Sequence, residues 1–324
     1  MNRFARLIDE KDFPAFEVIY NDFKNRAVID YNFELEPLDY AGFVDAVRRD
    51  LIKCIILLED TIPVAFLIYT TTISESVELN IIHSYKMENM EERAKVLITE
   101  FLDETCFDRE DKVVCYPLLG KQQDLINAAS EFGFKFIGTV VLRFMMYGTN
   151  SKEILDMYES QPLPDEYYLT DWNIRYFDDA VKVVQTAFKD SSDALFDPRF
   201  KTLDGCDDIL AKIVENIYAE FLPEATTVLL YNGKPAGFCF VNLTDGRIAN
   251  LPIVALSPEH QGKGLSKLML KQSLEKLIAM SKSGKRAISE VNTTTETDNY
   301  QALKLYRHLG FKEDYNYAQA YLDS

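Results

Sequence analysis

The run from Leu251 to Met280 constrains this chain most: an apolar segment, a short turn with two glycines, then a long amphipathic stretch. Ile253-Val254-Ala255-Leu256 is buried-strand material, and Ser257-Pro258-Glu259-His260 ends it. Gln261-Gly262-Lys263-Gly264-Leu265-Ser266 then leads directly into Lys267-Leu268-Met269-Leu270, which reads as a helix running to about Lys282 and stopping at Ser283-Gly284. Strand, glycine loop and helix in that order leave backbone N–H groups unpaired at the positive end of a helix dipole. Glycines remove the Cβ atoms that would hold a bulky anion away, so the expected ligand is a phosphate or pyrophosphate.

Glycine spacing narrows the compound. A nucleotide P-loop needs Gly-x-x-x-x-Gly-Lys-[Ser/Thr], but Ser257 stands five residues before Gly262, and Gly264 follows Lys263. A dinucleotide fingerprint needs a third glycine where Lys267 stands. The pattern that remains, [Gln/Arg]-x-x-Gly-x-[Gly/Ala], is met by Gln261 and Gly264, with the small Ser266 as the one departure. Downstream, Asn299, Ala302, Leu305, Tyr306, Gly310 and Phe311 fill Asn-x-x-Ala-x-x-Leu-Tyr-x-x-x-Gly-Phe. These two signatures, in this order, resemble those of the GNAT superfamily of N-acyltransferases.

The resemblance implies an α/β fold with a mixed sheet flanked by helices, and acetyl-CoA as the acyl donor. It assigns pairing with pantetheine to the backbone of Val254, Ala255 and Leu256, and the phosphates to Gln261, Gly262, Lys263, Gly264, Leu265 and Ser266. Asn299 matches a residue that helps hold the donor, although it fits a helix N-cap equally well. Tyr306 matches the tyrosine that protonates the departing thiolate; a phenol with a pKa near ~10 keeps its proton for that task. Glu290, in Ser289-Glu290-Val291, resembles the base of protein N-terminal acetyltransferases, although Asn292 to Asp298 make the following loop longer than in that subgroup. A solvated glutamate at a strand end is the alternative. Pro252 removes a ladder donor from its own strand, so a break or bulge is expected there. His260 is expected near phosphates or solvent, and Lys282, Lys285 and Arg286 at a solvated helix end.

The second half reads as an ordered series. Trp172 to Tyr176 is a strand candidate, followed by helices over Asp178 to Lys189 and Asp208 to Phe221. Thr227 to Tyr231, Asn232-Gly233 and Lys234 to Val241 form a hairpin, and Asp245-Gly246 turns into a third strand, Arg247 to Leu256. Ala287 to Val291, a helix over Asn299 to Leu309, and Tyr315 to Leu322 complete it. The first half repeats the order: Ile55 to Leu58, a turn, Ile62 to Phe66, then Val77 to His83 and a helix over Glu91 to Glu104. Gly133-Phe134 parallels Gly310-Phe311. The expected organisation is therefore a degenerate GNAT-like copy over residues 1–150, a linker over 151–166 with Ser151 to Gln161 as a short helix and Pro162-Leu163-Pro164 as hinge, and a donor-binding copy over 167–324. The first copy carries Tyr85-Lys86-Met87-Glu88-Asn89-Met90-Glu91-Glu92 at the place of its loop, without glycine, so one donor site per chain is expected.

A net charge of −17 argues against sequence-independent nucleic-acid binding, which needs Lys and Arg on phosphates. No apolar run approaches the ~18 residues of a membrane span, and a cytoplasmic location is expected. Five scattered cysteines and three histidines suggest buried thiols and no metal site. The resemblance implies an N-acetyltransferase acting on a primary amine of a small molecule or peptide by direct attack in a ternary complex. A non-enzymatic acyl-CoA-binding regulator and a transferase of another acyl group are the alternatives.

Overall fold

The computed structural model describes residues 3–31, 36–71, 76–105, 113–118, 122–146, 155 and 162–323. Cys106 and, apart from Leu155, the helix expected over Ser151 to Gln161 lie outside them. Two compact units are present: Met1–Gly138 with Tyr317–Ser324, and Thr139–Asn316.

In the first unit the order is β1 (Arg3–Leu7), α1 (Phe13–Asp30), α2 (Tyr40–Arg48), β2 (Lys53–Glu59), β3 (Ile62–Thr70), β4 (Ser76–Ser84), α3 (Met90–Thr105), β5 (Val113–Leu118) and α4 (Gln123–Glu131). Strands β1 to β4 run antiparallel, each to the next. β4 then pairs in parallel with β5 at Ser76 to Glu78. The core is aromatic, with Phe16, Phe23, Phe43 and Phe66 fully buried. Within it, Tyr31 Oη lies 2.8 Å from His83 Nδ1, and His83 Nε2 lies 3.0 Å from Asp22 Oδ2. Burial pulls the His83 imidazole down to about 4 against the opposing pull of Asp22, which keeps the ring neutral at pH 7.

After β6 (Lys135–Met145), the second unit continues with β7 (Tyr167–Asp171), α5 (Phe177–Phe188), α6 (Asp193–Phe196), α7 (Leu203–Val214), β8 (Glu220–Phe221), β9 (Thr227–Tyr231), β10 (Lys234–Cys239), β11 (Asn242–Thr244), β12 (Ile248–Asn250) and β13 (Val254–Leu256). α8 (Leu265–Lys282), β14 (Glu290–Glu296), α9 (Tyr300–His308) and β15 (Lys312–Asp323) follow. The units do not follow the sequence halves. The last strand's residues Ala318 to Asp323 pair with β5 of the first unit, and Thr139 to Met145 of β6 pair with β14 of the second.

Local chemistry explains where expected elements moved. The strand expected at Trp172 lies at β7, because Asn173 Oδ1 accepts from Arg175 N at 3.1 Å and turns the chain into a 3-10 segment. α7 starts earlier than expected because Thr202 Oγ1 caps it, accepting from Gly205 N at 3.0 Å. It ends at Val214, before Asn216, which has φ +64°. Asn232 (φ +47°) and Gly233 (φ +80°) make the expected tight hairpin between β9 and β10.

The second unit's sheet has two parts, β6-β14-β12-β11-β8 and β13-β10-β9-β7. On one face, α8 and α9 bury Met269, Leu274, Leu277 and Leu303 with Leu229, Leu243, Leu256 and Val291. On the other, α5 and α7 bury Val184, Ile209 and Leu210 with Val228, Phe238, Phe240, Ile253 and Ala255. α8 approaches β10 closely at Gly237, where a Cβ would stand 2.9 Å from Met269 Sδ and 2.9 Å from Leu256 Cδ1. This close packing fixes the start of α8 at the end of β13.

Candidate active site

The third strand of the second unit is divided at Leu251, Pro252 and Ile253. Its first part, β12, runs parallel to β14, and Leu251 N still donates to Asn292 O at 3.0 Å. Its second part, β13, is antiparallel to β10, and Ile253 O already accepts from Phe240 N at 2.9 Å. Pro252 stands between these two allegiances and has no N–H to give to either neighbour. The break expected at Pro252 is thus where β13 and β14 part.

Register decides which backbone groups face the resulting gap. Phe240 with Ile253, and Ala236 with Ser257, are hydrogen-bonded positions on β10 and β13. Antiparallel ladders alternate, so Ala255 is also bonded to β10, whereas Val254 and Leu256 turn their N–H and C=O groups away from it. Two of the three residues expected to meet pantetheine therefore face the gap, and Ala255 does not. Across the gap, the same alternation along β14 turns the backbone of Thr294 toward the side that β12 has left.

The loop at the mouth of the gap is open. Gly262 (φ +74°) and Gly264 (φ +73°) are left-handed, and a Cβ built on either meets no atom within 4 Å. Gly264, at the N-cap of the 18-residue α8, gives its first turn no side-chain hydrogen bond. Gln261 Nε2 donates to Leu256 O at 3.2 Å and ties the loop to the strand end. Leu265 is buried and anchors the helix, while Ser266 is half-buried on its first turn. Lys263 Nζ donates to Tyr167 Oη at 3.2 Å, and Tyr167 Oη lies 2.8 Å from His260 Nδ1. His260 is not at the solvent: it is 8% exposed, packed between Tyr167 and Tyr231. A left-handed glycine pair with open space around it, a helix start capped by glycine and an adjacent lysine suit a pyrophosphate.

Tyr306, on α9, projects to the same gap from the α8/α9 face. Its hydroxyl lies 3.5 Å from Thr293 Oγ1, which in turn reaches Leu251 O at 3.5 Å. The ring is 6% exposed and packs on Phe311 at 5.3 Å, edge to face. Burial pushes the phenol up to about 12, opposed by the Thr293 hydroxyl and aided by Cys239 and Asp193, so it is protonated at any physiological pH. Asn299 Oδ1 accepts from Ala302 N at 3.1 Å, so its side chain serves as the cap of α9.

Glu290 is not brought to Tyr306. It lies at the start of β14, three residues before Thr293, with Oε1 accepting from Arg143 Nη1 at 2.9 Å and from Asn292 Nδ2 at 3.1 Å. Glu296, at the other end of β14, is held above the usual carboxylate range by burial and by Asp193 and Asp298. Thr293, Arg143 and Glu296 were not singled out by sequence. Only their partners across neighbouring strands and helices give them a role.

Residues 193–311 match the model of the Acetyltransferase (GNAT) family. No curated protein matches the sequence. A GCN5-related N-acetyltransferase from Sphaerobacter thermophilus is similar in structure, with a TM-score of 0.65 at 13% identity over 99% of this chain and 95% of that one. So is a tandem GNAT protein from the clavulanic acid biosynthesis pathway, with a TM-score of 0.57 at 11% identity over 99% and 98% of the two chains. The divided strand, the open glycine loop and these likenesses agree: the chain has the GNAT fold, and its residues 193–311 match the Acetyltransferase (GNAT) family.

Proposed function

We propose that the protein is an N-acetyltransferase that moves an acetyl group from acetyl-CoA to a primary amine, both substrates being bound together. The observation that carries this reading is the meeting, at one gap between β13 and β14, of outward backbone groups, an open glycine loop and a protonated buried phenol. Val254 and Leu256 would hold the pantetheine amides. Gln261, Gly262, Lys263, Gly264, Leu265 and Ser266 would hold the phosphates. The donor supplies a thioester carbonyl; the amine attacks it, a C–N bond forms and the C–S bond breaks. Tyr306 gives its proton to the departing sulfur, and the extra proton that the nitrogen sheds as it becomes an amide returns to Tyr306 through water. The ammonium proton leaves before attack, and Glu290, whose carboxylate Arg143 holds in place, is its proposed destination through an intervening water. Asn299 acts indirectly, by fixing the start of the helix that carries Tyr306.

Release of free thiol from acetyl-CoA over a panel of primary amines tests the reading, alongside calorimetry of acetyl-CoA binding. Binding with amine-dependent thiol release supports it. Binding with no thiol release from any amine would leave an acyl-CoA-binding protein without transferase activity.

A further inference from the structure

Asn242, Asn250 and Asn292 lie side by side on β11, β12 and β14: Asn242 is opposite Asn250, and Asn250 is beside Asn292. Their neighbours in sequence, Leu243, Ala249 and Val291, are likewise in register and face the core under α8 and α9. Side chains alternate along a strand, so the three asparagines share the opposite face, the one covered farther along by α5 and α7. Asn242 is 6% exposed and Asn292 8% exposed, and the Oδ1 atom of each has no hydrogen-bond partner among the described residues. The orientation of Asn292 is set by chemistry, because Nδ2 donates to the Glu290 carboxylate at 3.1 Å and a carboxylate only accepts. Asn250 Nδ2 is committed to Thr244 Oγ1 at 2.9 Å, and this half-buried residue is the way into the row. Two buried acceptors on one sheet face, both lacking donors, are costly and unusual in a native core. A bound molecule with N–H donors would satisfy them.

Asn292 also adjoins Thr293, whose side chain points to the other face, toward Tyr306. A nucleophile resting on Asn292 therefore approaches the gap from the sheet face opposite Tyr306, leaving the proton donor free to meet the departing sulfur. We infer that Asn242, Asn250 and Asn292 are the acceptor-binding row of the site, and that they take a linear diamine. The reacting nitrogen sits on Asn292, and the second ammonium group on Asn242. This inference rests on the N-acetyltransferase reading above. Strands lie ~4.8 Å apart, so the row spans roughly 10 Å, which suits nitrogens separated by about seven methylenes. Glu290, beside Asn292, contributes a negative charge of the right sign for an ammonium.

The test uses the full-length protein with acetyl-CoA and two probes of equal chain length, 1,7-diaminoheptane and heptylamine. The diamine should be the better substrate by roughly 10- to 100-fold in kcat/KM, the range expected for one hydrogen bond to a charged group. Asn242→Leu should erase that preference, and Asn242→Asp, which keeps an acceptor oxygen, should retain it. Asn292→Leu should raise KM for both amines. Because leucine at 242 removes an unpaired acceptor, Asn242→Leu should leave acetyl-CoA affinity unchanged and Tm no lower than that of the parent, whereas Asn292→Leu also gives up the bond to Glu290. Equal use of the two probes, an Asn242→Leu variant that keeps the preference, or a Tm lowered by several degrees in that variant overturns the inference. So does the absence of turnover with either probe while acetyl-CoA still binds. Failure of the parent to bind acetyl-CoA would instead remove the proposed function itself.

Discussion

Tyr306→Phe tests two properties of one buried hydroxyl, its proton and its environment. The ring packs on Phe311 and is 6% exposed, so phenylalanine fills the same space. The bond that is lost, to Thr293 Oγ1, is 3.5 Å long, at the weak end of hydrogen bonding. At pH 7 the variant should therefore be within about 1 kcal/mol of the parent in stability. Alkaline pH separates them. In the unfolded chain a tyrosine ionises near ~10, whereas burial holds Tyr306 at about 12. The unfolded state thus loses its proton first. Stability from this group is complete below pH ~10 and is lost as pH rises toward 12. Between pH 9 and pH 11 the parent should lose about 1.3 kcal/mol more than Tyr306→Phe, measured as the difference in urea midpoints at each pH. Turnover should fall by roughly 10²–10⁴ in the variant, with acetyl-CoA affinity nearly intact. Parallel alkaline curves would refute the burial argument. A less than tenfold loss of kcat would return Tyr306 to packing.

Gly264→Glu adds a side chain and a negative charge at a left-handed position with open space around it. The backbone penalty is about 1–2 kcal/mol, a few degrees in Tm for a chain of this size, whereas acetyl-CoA binding should be abolished; calorimetry of the parent should give one site per chain, and a second site surviving the substitution would contradict the single-loop reading. Glu290→Gln should flatten the acidic limb of the pH–rate profile and matter less as pH rises, since more amine is then already free; an unchanged limb would assign proton removal elsewhere. His83, held neutral by burial at about 4, contributes stability that is complete above pH ~6.5 and is lost as pH falls through 4. His83→Gln should be destabilising at pH 7 and should reduce the acid slope of stability between those values, as followed by urea unfolding; an unaltered slope would show that the acid sensitivity arises at other groups.

Much of the second half was legible because its signals are local. Asn232-Gly233 requires two positive φ values, and the chain turns there. Gly262 and Gly264 need open space and left-handed backbone, and both have it. The spacing from Asn299 to Tyr306 is helical, so capping by one and projection of the other follow from a single element. Trp172 to Tyr176 misled because a β-favouring composition does not reveal that Asn173 will bend the backbone by capping it.

By itself the sequence determined most elements of the second half, the left-handed glycine loop and the repeated order of strands and helices, since each depends on residues a few positions apart. Tertiary structure alone decided that β15 pairs with β5 while β6 pairs with β14, because strand partners are chosen by which exposed edges meet, not by nearness in the chain. It alone decided that Val254 and Leu256, and not Ala255, face the gap, and that Glu290 is bound to Arg143 instead of lying beside Tyr306. The same holds for the row of Asn242, Asn250 and Asn292, three residues spread over three strands. A one-residue change in pairing would turn any one of them to the other face, and register is a property of the folded sheet that no single strand encodes.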